Sequence, residues 1–192
     1  MKEPLNPPPS SRQAGDRTSR MGRRGQIKAA ETRVEPQPGR VPSAVSDLLN
    51  RILADEMVLY VRTLDFHWNV RGMQFHSLHQ FLEELYEKEF EHVDELAERV
   101  RAVGDSPLGS LRDFLEHASL PEKKAEPPDD PRAMIERLAE GHEHVIGKLR
   151  EGIRACRDQV DDPASENLLT DLLQEHEKTL WMLKTHLDRD LR

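Results

Sequence analysis

His79 and Glu83 stand four residues apart, and so do Asp94 and Glu98. On a helix each pair shares a face. At 100° per residue all four side chains fall within about 100° of arc. One imidazole and three carboxylates form a borderline-to-hard donor set, suited to Fe(II), Mn(II) or Zn(II) and poor for Cu(I). His67, in His67-Trp68-Asn69, adds a second imidazole. Glu83 and Asp94 are nonetheless eleven residues apart, about 16 Å along a helix axis. One helix therefore cannot wrap both pairs round one ion. Two antiparallel copies can: about a two-fold axis near Lys88 and Glu89, the His79/Glu83 end of one copy meets the Asp94/Glu98 end of the other. Each such dimer holds two equivalent sites. Singly, each residue has an ordinary explanation. Two acids four apart are usually a solvated face, His79 a polar helix-start residue and Trp68 core packing. The joint spacing carries the reading.

The elements that must position these residues read as helices. From Ser43 to about Asn69, Val45, Leu48, Leu49, Ile52, Leu53, Met57, Tyr60 and Leu64 recur at helical spacing, and Ser43 can cap the start. Gly72 lies in a break over 70–76. Ser77 with Gln80 forms a capping-box pattern, opening a second long helix to about Val103. Gly104 to Gly109 is a turn, and Ser110 to His117 a short helix. Pro121 to Pro128 is a loop. Asp130-Pro131 and Asp162-Pro163 each put an acid at the N-cap and proline at the first helical position. The helices they open run over about 131–158 and 163–190. His176 interrupts the last helix's apolar stripe of Leu169, Leu172, Leu173, Leu180, Leu183 and Leu187. The fold class is all-α: a four-helix bundle with a short extra helix in the long connection between helices two and three.

Composition sets the boundaries. No apolar run in the 192 residues approaches the ~18 a membrane span needs, and the start lacks a secretory core, so a cytoplasmic location is expected. A single cysteine, Cys156, excludes an intrachain disulfide framework and a cysteine-based zinc or iron–sulfur site. The net charge of −8 by itself argues against nucleic acid, but it hides a split. Residues 1–41 hold nine basic and four acidic side chains, a net +5, which leaves −13 on the remaining 151 residues. The first 42 residues also hold seven of the thirteen prolines and no aromatic residue. The expectation is a disordered tail over 1–41 and a folded domain over 42–192.

The stretches Asp65-Phe66-His67-Trp68-Asn69-Val70-Arg71-Gly72, Phe75-His76-Ser77-Leu78-His79 and Asp94-Glu95-Leu96-Ala97-Glu98-Arg99 resemble the Dps mini-ferritins, DNA-protecting proteins of starved cells. Glu175-His176-Glu177-Lys178-Thr179 and Trp181-Met182-Leu183 are similar to the family's last helix, so the resemblance covers about 43–190. It implies a ferritin-like fold, a hollow twelve-subunit shell and a ferroxidase site between two-fold-related subunits. The implied iron ligands are His67, His79 and Glu83 from one subunit with Asp94 and Glu98 from its partner. Glu83 stands where the family usually has Asp, which keeps the charge and lengthens the reach. The implied activity is oxidation of Fe(II), preferably by hydrogen peroxide, with ferric mineral stored in the shell. Family members line three-fold pores with acids, which makes Asp161, Asp162 and Glu166 candidates for iron uptake, helix capping being their bland explanation. The alternative function is a structural nucleoid protein that holds DNA through Arg12, Arg17, Arg20, Arg23, Arg24 and Lys28. Mobile arginines near phosphates gain from counterion release, but no aromatic residue interleaves them for base stacking.

Three further features carry weaker readings. Glu89-x-x-His92 matches one half of the motif of bundles that hold two irons inside one subunit. A second such motif is missing, so His92 is expected to be structural or superficial. His142 and His144 are expected to face solvent. Cys156 is expected to be a small buried residue rather than a nucleophile.

Overall fold

A computed structural model describes residues 43–122 and 130–188. Helix α1 runs Ser43–Asn69, α2 Phe75–Ala102, α3 Leu111–His117, α4 Pro131–Ala155 and α5 Pro163–Leu187, with a π-helical turn Cys156–Val160 before α5. The described residues include no strand. The four long helices form the bundle, α1 packing on α2 and α4, and α4 on α5. Short α3 lies against α1 within the long connection.

The apolar stripes meet as their period requires. Leu49, Ile52, Leu53 and Leu59 from α1 pack with Leu82 and Leu96 from α2, Met134, Leu138 and Leu149 from α4, and Leu169, Leu172 and Leu183 from α5. All twelve are fully enclosed. Two helices come unusually close at Gly141, where a Cβ would stand 2.7 Å from Leu59 Cδ1. Its lack of a side chain lets α4 approach α1 there.

Helix boundaries follow local chemistry. Asp130 accepts from the Arg132 N–H and Asp162 from the Ser165 N–H, each ahead of its proline. Ser110 caps α3 by accepting from the Asp113 N–H. Helix α2 ends at Gly104, whose φ of 94° suits glycine, while Val103, Gly104 and Asp105 donate back to Arg99, Arg101 and Val100 carbonyls.

Three local expectations need correction. Helix α2 begins two residues before Ser77, whose hydroxyl donates to the Gln74 carbonyl instead of capping. The helix from Asp130 does not run evenly to 158. It widens into the π turn, which closes when Asp161 adopts a left-handed φ of 52° and the Asp162 N–H reaches the Cys156 carbonyl at 3.1 Å. Trp68 is 70% exposed, because Phe66 and Val70 on either side take the inward positions.

Candidate metal centre

The α1–α2 corner brings His67 and His79 together. Gly72, at φ 98°, lies in the short break that turns the chain back. The two imidazoles stack, with centroids 3.8 Å apart and planes at 16°. His67 Nδ1 donates to the His79 carbonyl and His79 Nδ1 to the His67 carbonyl, both at 3.0 Å. A carbonyl can only accept, so each Nδ1 must carry the proton. In the neutral ring Nε2 then keeps its lone pair, the state a metal requires. Phe75 stacks on His79 and the Tyr86 ring stands edge-on to His67.

Glu83 is exposed one turn beyond His79, and Asp94 and Glu98 are exposed further along α2. Phe90, 54% exposed, lies between the two carboxylate ends. Within one chain His67 and His79 meet, while Asp94 and Glu98 stay at the other end of α2. The five expected ligands therefore do not converge in a single subunit.

A second polar group lies inside the bundle, where the sequence reading expects none. Glu56 of α1, Glu89 and His92 of α2, His142 of α4 and His176 of α5 are all buried. His92 is therefore not superficial, and His142 does not face solvent. His142 falls on the buried face of α4 with Leu138, Val145 and Leu149, and His144 turns instead to Ser119 and Asp55. One donor atom each from Glu56, His92 and His176 lie within 4.8 Å of one another. His176 Nε2 stands 2.7 Å from Glu56 Oε1, and His142 Nε2 3.4 Å from Glu89 Oε1. Neither contact is aligned as a hydrogen bond. Both oxygens of Glu56, both of Glu89, His92 Nδ1, His142 Nε2 and His176 Nε2 have no hydrogen-bond partner. Such a group ordinarily costs about 1–3 kcal/mol when left so.

Electrostatics sort the members. Burial drives the Glu89 carboxyl well above its ordinary range. Burial also raises Glu56, but the neighbouring His176 and His92 outweigh it and the carboxyl lies below its ordinary range. Burial holds His92 and, more strongly, His142 below the usual imidazole value, so both favour the neutral ring. Signals for this group exist in the sequence: the half motif Glu89-x-x-His92, the break that His176 makes in its stripe, and Glu56 among apolar neighbours.

The ferritin-like domain family matches residues 46–192. A DNA protection during starvation protein of Brevibacillus brevis is 37% identical over 148 residues, 77% of this chain and 97% of its own. A crystal structure of a Dps protein from Bacillus brevis superposes with a TM-score of 0.73 at 34% identity, covering 79% of this chain and 100% of that one. This chain belongs to the Dps mini-ferritins of the ferritin-like family. An uncharacterized low temperature-induced protein of Nostoc sp. is also similar, 42% identical over 144 residues, which are 75% of this chain and 80% of that protein.

In this Dps chain the three acids expected at a pore have unequal surroundings. Asp162 is 6% exposed; it caps α5 and holds Arg99 at 2.8 and 3.0 Å. Glu166 pairs with Arg157. Asp161 is exposed. Cys156 is fully buried, and burial with nearby Asp162 and Glu166 pushes its thiol up to about 11, which leaves it inert as a nucleophile. Arg12, Arg17, Arg20, Arg23, Arg24 and Lys28, and the tail boundary at 41, lie outside the described residues. Among the described residues no helix is long and apolar enough to cross a membrane.

Proposed function

We propose that this Dps chain oxidises and stores iron, and that its ferroxidase site is shared between two subunits. One subunit supplies His67, His79 and Glu83, and its partner supplies Asp94 and Glu98. The reciprocal clamp between His67 and His79 carries the reading. Each ring's Nδ1 is held by the other residue's carbonyl, so both Nε2 atoms are oriented before any ion arrives. Exposed Phe90, midway between the two acid ends of α2, gives an antiparallel copy an apolar centre to pack on.

Iron is here the substrate. The imidazoles bind Fe(II) at neutral pH while unprotonated, and the three carboxylates favour the Fe(III) product by charge. With hydrogen peroxide as oxidant, two Fe(II) each lose one electron. The O–O bond breaks, and two protons complete two waters. Ferrous ion and peroxide disappear together, which suppresses hydroxyl-radical chemistry. The shell is a dodecamer in the cytoplasm. Its acidic body attracts Fe(II), with Asp161, Asp162 and Glu166 near the uptake route and Asp161 the most accessible of them. The +5 tails add sequence-independent DNA binding that fades steeply with salt.

Anaerobic Fe(II) titration followed by peroxide, read as ferric absorbance, tests the oxidation. Asp94→Asn with Glu98→Gln should preserve the shell and strongly slow oxidation. Mixing that variant with one lacking His79 and Glu83 should restore activity in heterodimers. If neither variant loses activity, the ligand assignment is wrong. A gel shift at low salt, with and without residues 1–41, tests the tail.

A further inference from the structure

The interior group Glu56, Glu89, His92, His142 and His176 is not used by the shared site. It draws on all four long helices of one subunit, so it is complete without a second copy. We propose that each subunit holds a second divalent first-row transition ion inside its own bundle, bound by Glu56, His92 and His176, with His142 and Glu89 orienting the ligands from behind.

The geometry points to these roles. Donor atoms from Glu56, His92 and His176 lie within 4.8 Å of one another, close enough to share one ion after small adjustments. Glu56 Oε1, Glu56 Oε2, His92 Nδ1 and His176 Nε2 are all buried and lack hydrogen-bond partners. A buried network kept for structure would satisfy such atoms, as the same bundle does elsewhere for Asp55. An ion satisfies them together.

Behind the ligands runs a chain of contacts. His142 Nδ1 and His176 Nδ1 are 2.8 Å apart, so one nitrogen donates and the other accepts. With His176 Nε2 turned to an ion, its Nδ1 carries the proton and donates to His142. His142 then carries its own proton on Nε2, 3.4 Å from Glu89 Oε1. The chain runs from metal to imidazole to imidazole, with the Glu89 carboxyl beyond. It fixes the tautomer of the ligating ring, as outer partners of metal-bound histidines do. Two imidazoles and one carboxylate suit Fe(II), Co(II) or Zn(II) and disfavour Mg(II) and Ca(II). This buried ion joins α1, α2 and α5 and so stabilises the subunit directly.

The test uses the assembled, metal-free full chain with Co(II) as the probe. Bound ions are counted after desalting, and visible d–d bands report nitrogen and oxygen ligation. Asp94→Asn with Glu98→Gln should lose the shared-site cobalt and keep one cobalt per chain. Glu56→Gln should lose that remaining cobalt, keep the shared one, and retain helical content and assembled mass. His142→Asn should weaken cobalt binding in the bundle without abolishing it. The Asp94/Glu98 variant should also gain melting temperature on adding Co(II), a readout that does not need Glu56→Gln to fold. An unchanged cobalt count in folded Glu56→Gln, or no cobalt and no thermal gain in the Asp94/Glu98 variant, overturns the proposal. Failure of the shared site has a separate signature: a count that Asp94→Asn with Glu98→Gln does not lower.

Discussion

Asp55 and Glu56 are neighbours in α1, both acidic and both buried, yet their surroundings are opposite. Asp55 points toward the end of the long connection. It accepts from the Ser119 and Leu120 N–H groups at 2.6 Å and from the Ser119 hydroxyl at 2.8 Å, with His144 at 3.4 Å. Glu56, 100° further round the helix, points into the bundle and has no hydrogen bond. A carboxylate with three donors anchors chain to chain. A carboxylate faced by imidazoles, with no backbone donor, is arranged for a cation. Burial alone does not distinguish the two; the inventory of partners does.

The largest expected effect lies on the anchored side. Asp55→Ala leaves the buried Leu120 N–H, the Ser119 N–H and the Ser119 hydroxyl without their acceptor and should destabilise by about 3 kcal/mol. For a domain of this size that is a fall in Tm of roughly 6–12 °C, measurable by thermal denaturation of metal-free protein. Metal-free Glu56→Gln should destabilise by less, about 1 kcal/mol: the pair with His176 at 2.7 Å is lost, but an amide stays within reach of the imidazole and a buried charge is removed. Equal losses in the two variants would break the comparison.

Asp162 offers a satisfied carboxylate whose contribution can be titrated. Burial would raise its pKa, but the hydrogen bonds from Ser165 and Arg99 outweigh that and hold it below the ordinary value of 3.8. A depressed folded pKa adds stability above the unfolded value, and that contribution is lost as pH falls through the folded one. Asp162→Asn should therefore cost about 1–2 kcal/mol at pH 7, with the gap from the parent closing below about pH 4. Denaturant melts across pH 3–7 measure this. A neighbouring variant separates anchoring from iron uptake: exposed Asp161→Asn should slow uptake at low salt without changing the melt.

The smallest effect is at helix starts. Ser110→Ala removes a formed cap and should cost about 1 kcal/mol. Ser77→Ala removes a hydroxyl that caps nothing and should stay within about 0.5 kcal/mol. Thermal melts of the pair check whether partners, rather than residue type, set the value of a polar group.

How much was legible in the sequence follows the range of the forces involved. The Asp130-Pro131 and Asp162-Pro163 starts, the short helix behind Ser110 and the stop at Gly104 could be read because caps and left-handed glycines act within one turn. The outward stripe of His79, Glu83, Asp94 and Glu98 was equally readable, since the helical period alone sets the facing of residues on one helix. The π turn was not, because it depends on Asp161 and Asp162 closing onto Cys156. Nor was the reciprocal clamp of His67 and His79, which needs the corner between α1 and α2. Least legible was the interior group. Glu56, Glu89, His92, His142 and His176 come from four helices and obey no common spacing, and their meeting depends on how those helices pack. Local chemistry determined the helices and the outward ligands; the packing of those helices decided which charges were buried and which were left without a partner.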